Sequence, residues 1–343
     1  MAAQDFFGLD IGTSSIKVVQ IASSGSTKRL VAVGLVPSPA RGMLSESQVD
    51  QEAIANAIKK LVSDAGIKTS NVASALAESQ IFTRVIEMPV LTDRELNSAI
   101  RYEAEQYIPV PVSEVSLAWK VLYRPLEATS EAKMDVLLIA APLSLVEKHT
   151  RVLKLANLKP VALETEIVAM TRALVDPNSP TSLVVSTGAF TTDICIVRNG
   201  ILSFTRSIST GGDALTRAIA TELDFEQPQA EEYKKTYGLL DDQLEGKILA
   251  TLKPVFEIIV SEVKKSMLNF QTKSKGDPVK RVILAGGGAK LPGITTYLAS
   301  ELGLEVAVGD PWYQIAKESM VDKRLAEDRA VFAVSTGLAI RTV

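Results

Sequence analysis

Gly8-Leu9-Asp10-Ile11-Gly12-Thr13-Ser14-Ser15-Ile16-Lys17 is the stretch on which the fold of this chain turns. An apolar strand enters a tight turn of glycine and hydroxyl residues, and a second strand leaves it. The alternation runs from Phe6 to Ile21, with Ile16, Val18 and Gln20 on one face and Val19 and Ile21 on the other. Strand follows turn here, not helix. That argues against a Rossmann unit and a P-loop, which both send a helix out of their glycines, and neither GxGxxG nor GxxxxGK[ST] occurs. The same pattern returns far downstream as Val184-Val185-Ser186-Thr187-Gly188-Ala189-Phe190-Thr191-Thr192-Asp193-Ile194. Two such turns facing each other can clamp a polyphosphate between two lobes.

The residue types suit that use. Gly12 permits close backbone approach, Thr13, Ser14 and Ser15 bring hydroxyl and N–H donors, and Asp10 can hold Mg²⁺ through water. Lys17 follows the turn closely enough to reach back to phosphate. Taken alone, the stretch reads equally well as a plain β-hairpin. The partner turn at Thr187, Gly188 and Ala189 shifts the balance, as does a third turn, Gly286-Gly287-Gly288-Ala289. The third turn follows an apolar strand and precedes a helix, so it can pass under an adenine ring where side chains would clash, although a lone glycine run is more often simply a loop. Gly211-Gly212, also before a helix, can approach a ribose in the same way. Lys234 and Lys235 lie in the helical stretch 230–235 and can flank a nucleoside; the plainer reading of that stretch is a solvated charged face.

Between the two phosphate-type turns the periodicity predicts strands at 30–37, 73–78 and 83–87, and a helix over 51–65 with Ile54, Ile58 and Leu61 on one stripe, closed by Gly66. A distinct block follows at 91–111. Thr92 and Glu95 have capping-box spacing, Leu96, Ala99, Ile100, Ala104, Tyr107 and Ile108 share a helical face, and Pro109 and Pro111 end it. A strand over 116–123, a polar loop over 124–133, a strand over 134–140, a helix over 143–155 and a strand over 159–164 complete a small α+β module. After Gly212 helical periodicity covers 213–223, 228–237 and 241–272, with Pro254 expected to kink or start the last. A strand over 279–285, a helix over 292–302 and a final helix over 330–340 close the chain.

Composition narrows the function. The 343 residues are 46% hydrophobic and 22% charged, an ordinary globular composition long enough for two interleaved lobes. A net charge of −3 gives no case for nucleic-acid binding. One cysteine, Cys195, excludes an internal disulfide, and one histidine, His149, leaves no Cys/His metal cluster; neither residue is expected to have a chemical role. The start of the chain lacks a basic, apolar leader pattern, and no apolar run reaches the roughly 18–20 residues of a membrane span. No Ser/His/Asp set or carboxylate dyad stands out.

With these residues in view, the chain resembles the actin-like ATPase superfamily over nearly its whole length. DIGTSSIK at 10–17 resembles the first phosphate turn, STGAFTTD at 186–193 the second, and LAGGGAKLPG at 284–293 the adenosine turn. LTDRELNSAIRYEAEQYIPVPVSEVSLAWKVL at 91–122 is the more specific stretch. It resembles the signature of the PilM family of cytoplasmic actin-like proteins of type IV pilus assembly and, more distantly, that of FtsA. The resemblance implies a two-lobed, ribonuclease H-like α/β fold with a 1C subdomain. It implies subdomain 1A from 1–82, 158–178 and 326–343, 1C from 83–157, 2A from 179–212 and 278–325, and 2B from 213–277. It further implies ATP and Mg²⁺ as ligands. The implied partner is the cytoplasmic N-terminal peptide of a PilN-like inner-membrane protein, held between 1A and 1C, with Arg101, Tyr102 and Glu105 as candidate rim residues. The protein would then sit in the cytoplasm, at the inner membrane only through that partner, in contact with the pilus platform and its motor ATPases.

One position departs from the pattern. The second turn of the superfamily usually opens with Asp, and here that residue is Ser186. Asp193 lies on the outgoing strand and is not expected to replace it directly, so hydrolysis should suffer more than binding. Whether ATP turns over, and whether the chain associates with itself, stays open. Two other readings remain. An FtsA-like filament protein would carry a C-terminal amphipathic helix, whereas this sequence ends straight after its last core-like helix. A small-molecule kinase of the superfamily would need a catalytic Asp base, and none is identifiable. For the inserted block, the alternative is a structural insertion packed on the first lobe.

Overall fold

Two five-stranded sheets share one strand order in this computed structural model, which describes residues 6–25, 27–39, 42–126, 131–273, 277–316, 325 and 327–342. The first sheet is built from β1 (Phe7–Ile11), β2 (Ser15–Ser24), β3 (Thr27–Pro37), β4 (Asn71–Leu76) and β8 (Lys159–Thr165), in the order β3-β2-β1-β4-β8. The second uses β9 (Ser182–Thr187), β10 (Thr192–Arg198), β11 (Ile201–Ile208), β12 (Arg281–Ala285) and β13 (Glu305–Val308), in the order β11-β10-β9-β12-β13. In each, the first three strands in sequence pair antiparallel and the last two add in parallel. Central strands β1 and β4 are buried almost throughout, so they read as apolar runs, as strands covered on both faces do.

Helices α1 (Gln48–Asp64) and α3 (Leu143–Leu155) cover one face of the first sheet, where Ile54, Ile58, Val152 and Leu153 pack with Phe7, Leu9 and Val18. Helices α4 (Glu166–Leu174) and α9 (Ala333–Ala339) join the two sheets. Ala169 and Leu338 pack with Ala73 and Ala75 of the first sheet, while Ile167, Met170 and Ala333 pack with Val184, Cys195 and Ile283 of the second. The outer face of the second sheet carries α5 (Gly212–Leu223), α6 (Gln227–Tyr237), α7 (Lys247–Lys273) and α8 (Ile294–Leu302).

The inserted module consists of β5 (Phe82–Pro89), α2 (Asp93–Glu105), β6 (Val115–Tyr123) and β7 (Lys133–Pro142), with its sheet in the order β5-β7-β6. The expected capping box starts α2: the Thr92 N–H donates to Glu95 Oε2 at 2.8 Å and the Glu95 N–H to Thr92 Oγ1 at 3.4 Å. Leu96, Ile100 and Ala104 then bury against Met88, Met134 and Leu138. The other face of this sheet does not end in solvent. Leu137, with Val85 and Ile139, joins the core of α4, β9 and β10, and Thr205 Oγ1 on β11 donates to the Thr83 carbonyl at 3.0 Å. The module thus touches both lobes, whereas α3, which follows it, packs with α1.

Several elements differ from what periodicity predicts. α4, β11 and β13 have no counterpart in the pattern-based reading. α4 has only 9 residues, fewer than a helical pattern needs to be read, although Ile167, Met170 and Leu174 fall on one buried face, and β13 has only 4 residues. The third long helix starts at Lys247, not near 241, because Leu244, Glu245 and Gly246 all hold positive φ. Pro254 lies inside α7, beyond its first turn, and does not start it. The buried stripe of Ile248, Leu252, Phe256, Ile259 and Val263 runs past it on both sides, and that packing offsets the roughly 3 kcal/mol an interior proline costs. The last helix is a 3₁₀ turn (Arg329–Phe332) followed by α9. The expected loop at 124–133 lies partly outside the described residues.

Candidate functional site

The two turns that opened the sequence argument have the same local geometry. The Gly12 N–H donates to the Ser15 carbonyl at 3.1 Å, and the Gly188 N–H to the Thr191 carbonyl at 2.8 Å. Antiparallel pairing then sets equivalent residues across each strand pair: Asp10 opposite Lys17 on β1–β2, and Ser186 opposite Asp193 on β10–β9. Lys17 Nζ donates to Asp10 Oδ2 at 3.0 Å, and both side chains are buried. Gly12 is close to this pair; a Cβ there would lie 3.1 Å from Lys17 Nζ and 2.9 Å from the Ser15 carbonyl. Thr13 and Ser15 are half-buried and Ser14 is exposed, so the turn apex is open.

The structure gathers the second turn, the third turn and the start of α5 into one body. The Gly212 and Asp213 N–H groups donate to the carbonyls of Gly188 and Ala189 at 2.9 and 2.8 Å. A Cβ on Gly211 would sit 2.7 Å from the Ala189 carbonyl, so only glycine lets α5 dock this closely. Gly286 has φ +73 and its missing Cβ would lie 2.6 Å from the Thr187 carbonyl; at Gly288 the Cβ would lie 2.5 Å from that of Thr187. Gly287 faces open space and Ala289 is buried. The two outer glycines of the run therefore serve packing on Thr187, and Gly287 faces open space.

Lys234 joins this body. From α6 its Nζ donates to the Gly212 carbonyl at 2.9 Å, to Thr216 Oγ1 at 2.7 Å and to Glu231 Oε2 at 2.5 Å. Burial pulls the Lys234 ammonium below its usual range against the opposing pull of Glu231. Burial alone would raise Glu231, but hydrogen bonds from Lys234 and Thr216 hold it below the ordinary carboxylate value. Lys235 is exposed and pairs with Glu231 at 3.0 Å. Arg101, Tyr102 and Glu105 lie elsewhere, exposed on α2; Arg101 and Glu105 line a shallow recess with Val110, Pro111, Val112 and Ser113.

Between the two turns lie carboxylates that the sequence argument passed over. Glu166 is the first residue of α4, after the Thr165 N-cap, whose side chain accepts from the Val168 N–H. Burial, reinforced by the charges of Asp10 and Asp193, lifts Glu166 well above the carboxylate range. Asp193 accepts from Ser207 Oγ at 2.5 Å, and burial pushes it up to about 6 in spite of that bond. Glu78 lies in the 3₁₀ turn (Glu78–Gln80) after β4, buried, with its N–H donating to Glu166 Oε2 at 3.3 Å. Burial pushes Glu78 up to about 8. A Thr-Glu pair at the end of an apolar strand is a legible helix start and would have pointed to Glu166. Nothing local marks Glu78.

Chemically, the site offers two backbone turns suited to anions, a lysine beside the first, and carboxyl groups that hold protons near neutral pH. Among the described residues no group of three or more His, Cys, Asp or Glu is placed to hold a metal ion. A single carboxylate such as Asp10 fits a hydrated Mg²⁺ that takes its remaining ligands from water and phosphate, not a protein cage. His149 and Cys195 are both buried. His149 Nε2 is 2.9 Å from Ser74 Oγ, and burial drops its pKa to about 4; burial pushes the Cys195 thiol up. Among the described residues no helix is long and apolar enough to cross a membrane.

Comparison with known proteins fits this architecture. The family model described as type IV pilus assembly protein PilM matches residues 8–343. A solved PilM–PilN type IV pilus biogenesis complex contains a chain that is 30% identical, with a TM-score of 0.85 over 98% of both chains. The cell division protein FtsA of Streptococcus pneumoniae serotype 2 is 24% identical over 91% of this chain and 77% of its own length. MreB5 of Spiroplasma citri bound to AMPPNP shares the fold, with a TM-score of 0.55 over 99% of this chain and 96% of its own at 16% identity.

Proposed function

The chain belongs to the type IV pilus assembly protein PilM family, with the actin-like fold of that family, and from this premise we propose that it is a nucleotide-dependent scaffold of the pilus inner-membrane platform. MgATP binds between the lobes, and the inserted module captures the cytoplasmic N-terminal segment of a PilN-like protein. The protein is cytoplasmic and reaches the membrane through that partner. The subdomain division into 1A, 1C, 2A and 2B at the boundaries given above belongs to the same reading.

The observation that carries the nucleotide assignment is the matched pair of turns, each closed by the same glycine-to-carbonyl bond, with the third glycine turn seated on Thr187 of the second. Backbone donors of the turns bind phosphate oxygens, Lys17 neutralises charge beside the first turn, and Gly287 leaves room for a flat base. Bound Mg²⁺ supplies charge neutralisation for the phosphates. Glu166, set between the turns and kept protonated by burial, can orient a water by hydrogen bonding but takes no proton from it in that state. With Ser186 at the usual carboxylate position, the charge set is incomplete and hydrolysis is slow. Nucleotide binding is tested by calorimetry and thermal shift with ATP and ADP; an absence of both heat and shift would remove the assignment, provided the protein is first stripped of any nucleotide it carries.

The partner assignment is supported by the related chain, which was solved with PilN, and by the recess beside Arg101 and Glu105 near the exposed Tyr102. The recess is lined by α2 and the segment after it, wholly within the module, and can seat apolar side chains of a bound segment against Val110, Pro111 and Val112. Because Val85, Leu137 and Ile139 help form a core shared by both lobes, deleting the module would damage the fold. Surface substitution is the cleaner test: Arg101→Glu with Tyr102→Ala should weaken calorimetric binding of the PilN-like N-terminal peptide at least about tenfold, a loss of ~1.4 kcal/mol. Unchanged affinity would move the groove elsewhere.

A further inference from the structure

We propose that the Glu78 carboxyl is the joint through which occupancy of the interlobe cleft reaches the inserted module. The proposal rests on the nucleotide reading and assigns that site a means of regulation. Its basis is where Glu78 stands. The turn carrying it is the only covalent link from β4, a central strand of the first sheet, into β5, the strand by which the module begins. Its N–H holds Glu166, the carboxylate between the two phosphate-type turns. Five residues on, the Thr83 carbonyl accepts from Thr205 of the second sheet. One short segment is therefore tied to the cleft floor, to the second lobe and to the module.

The side chain adds a second, independent observation. Among the described residues Glu78 Oε2 is buried and meets no donor in hydrogen-bond geometry, and neither does the hydroxyl of Thr83 beside it, whose pull on the carboxyl is outweighed by burial. A native structure seldom tolerates a buried carboxyl oxygen with no donor, and a carboxylate there would be strongly disfavoured. Other groups face it from each neighbouring element. Glu166 lies on α4, Asp193 and the Cys195 thiol on β10, and the Asp10–Lys17 pair of β1–β2 stands beyond Glu166. All but Lys17 are acids; on β5 and β11, which also pack against the turn, Arg84 stacks on Tyr107, Glu87 pairs with Lys133 and Arg206 pairs with Glu262. A neutral Glu78 lets these acidic walls close on it; an ionised Glu78 repels Glu166 and Asp193 together and loosens the start of β5.

A ligand in the cleft acts on the same joint. It competes for Glu166 and draws the second lobe, with Asp193 and Thr205, toward the first. The 3₁₀ turn and β5 then shift with them, provided Glu78 is neutral and packed. The coupling should therefore be strong at neutral pH and fade as Glu78 gives up its proton.

The chain has two tryptophans, Trp119 on β6 of the module and Trp312, which packs on Phe332 outside it. In a Trp312→Phe background, Trp119 emission reports the module alone. Calorimetry with MgADP on the same protein reports occupancy independently. The expected result is a Trp119 change on saturation with MgADP near pH 7 that falls severalfold near pH 9, about one unit above the Glu78 value, while Glu78→Gln keeps the full change at both pH values. The amide is isosteric and neutral, so it retains the packing, and Glu166 and Asp193 still titrate in it. A pH loss of equal size in Glu78→Gln would assign the effect to those groups and overturn the proposal. So would bound MgADP with no Trp119 response in the protein with Glu78 intact; in that case the nucleotide site stands and the joint does not. Absence of calorimetric binding would overturn the nucleotide reading and the joint with it.

Discussion

Ser186 and Asp193 face each other across β9 and β10 at the register position that Asp10 and Lys17 occupy across β1 and β2. The first lobe thus presents a carboxylate on the incoming strand and an ammonium on the outgoing one. The second presents a hydroxyl on the incoming strand and a carboxylate on the outgoing one. Asp193 does not occupy the usual position, but its charge acts on Glu166 from the opposite lobe.

That arrangement should slow ATP hydrolysis without abolishing it. Preorganised charge commonly supplies several kcal/mol in phosphoryl transfer, so a displaced carboxylate should leave turnover below ~1 per second. Asp193→Asn should lower it further, by about tenfold or more, ~1.4 kcal/mol, with little change in nucleotide affinity. Single-turnover phosphate release measures both. Faster turnover in the unmodified protein, or an unaltered rate in Asp193→Asn, would contradict this account.

Saturating MgATP should stabilise the protein by about 2.7 kcal/mol at a hundred times its dissociation constant. Asp10→Asn keeps an acceptor for Lys17 yet removes the charge, so it should lose the magnesium-dependent part of that stabilisation and keep the rest. Asp10→Ala is the poorer probe, because an unpaired buried Lys17 would itself cost about 3–5 kcal/mol. Thermal shift with and without EDTA separates the two effects.

Stability should fall with rising pH through Glu78. Below the unfolded glutamate value of 4.5 both states keep the proton and the site contributes its full share. Above that value the unfolded chain releases the proton while the folded chain holds it to about 8, so the folded state loses ground across this window. Glu78→Gln should therefore become more stable relative to the unmodified protein between about pH 5 and 8, by an amount on the order of several kcal/mol at the upper end. Denaturant melts at a series of pH values would show it; parallel curves for the two proteins would refute it.

Lys234→Met should separate nucleotide binding from peptide binding. It removes three hydrogen bonds, to Gly212, Thr216 and Glu231, and should cost about 1–3 kcal/mol of stability. Nucleotide affinity should drop because α6 no longer holds the start of α5, while peptide binding at α2 should persist. Equal losses at both sites would mean that the substitution acts by global unfolding.

Much of this was legible along the chain. Both phosphate-type turns announce themselves because glycine and hydroxyl residues interrupt apolar strands over a few positions, and a turn is local chemistry. The α2 capping box is equally local, needing only Thr92 and Glu95 three residues apart. α4 was not legible because its 9 residues are too few for a helical period to be read from the sequence. The place of Pro254 inside α7 was not legible either: its cost is intrinsic, but the packing that offsets it comes from distant residues.

The sequence by itself determined the turns, the inserted block and hence the actin-like family, because each depends on residue type at short spacing. Only the tertiary structure decided which charges meet. Glu78 and Glu166 are 88 positions apart, and Thr83 and Thr205 are 122 apart. No spacing rule connects them; strand register and sheet order do. The physical cause is that burial and the charges of neighbouring strands, not residue identity, set how strongly a carboxyl group holds its proton, and both arise only when the two lobes close around it.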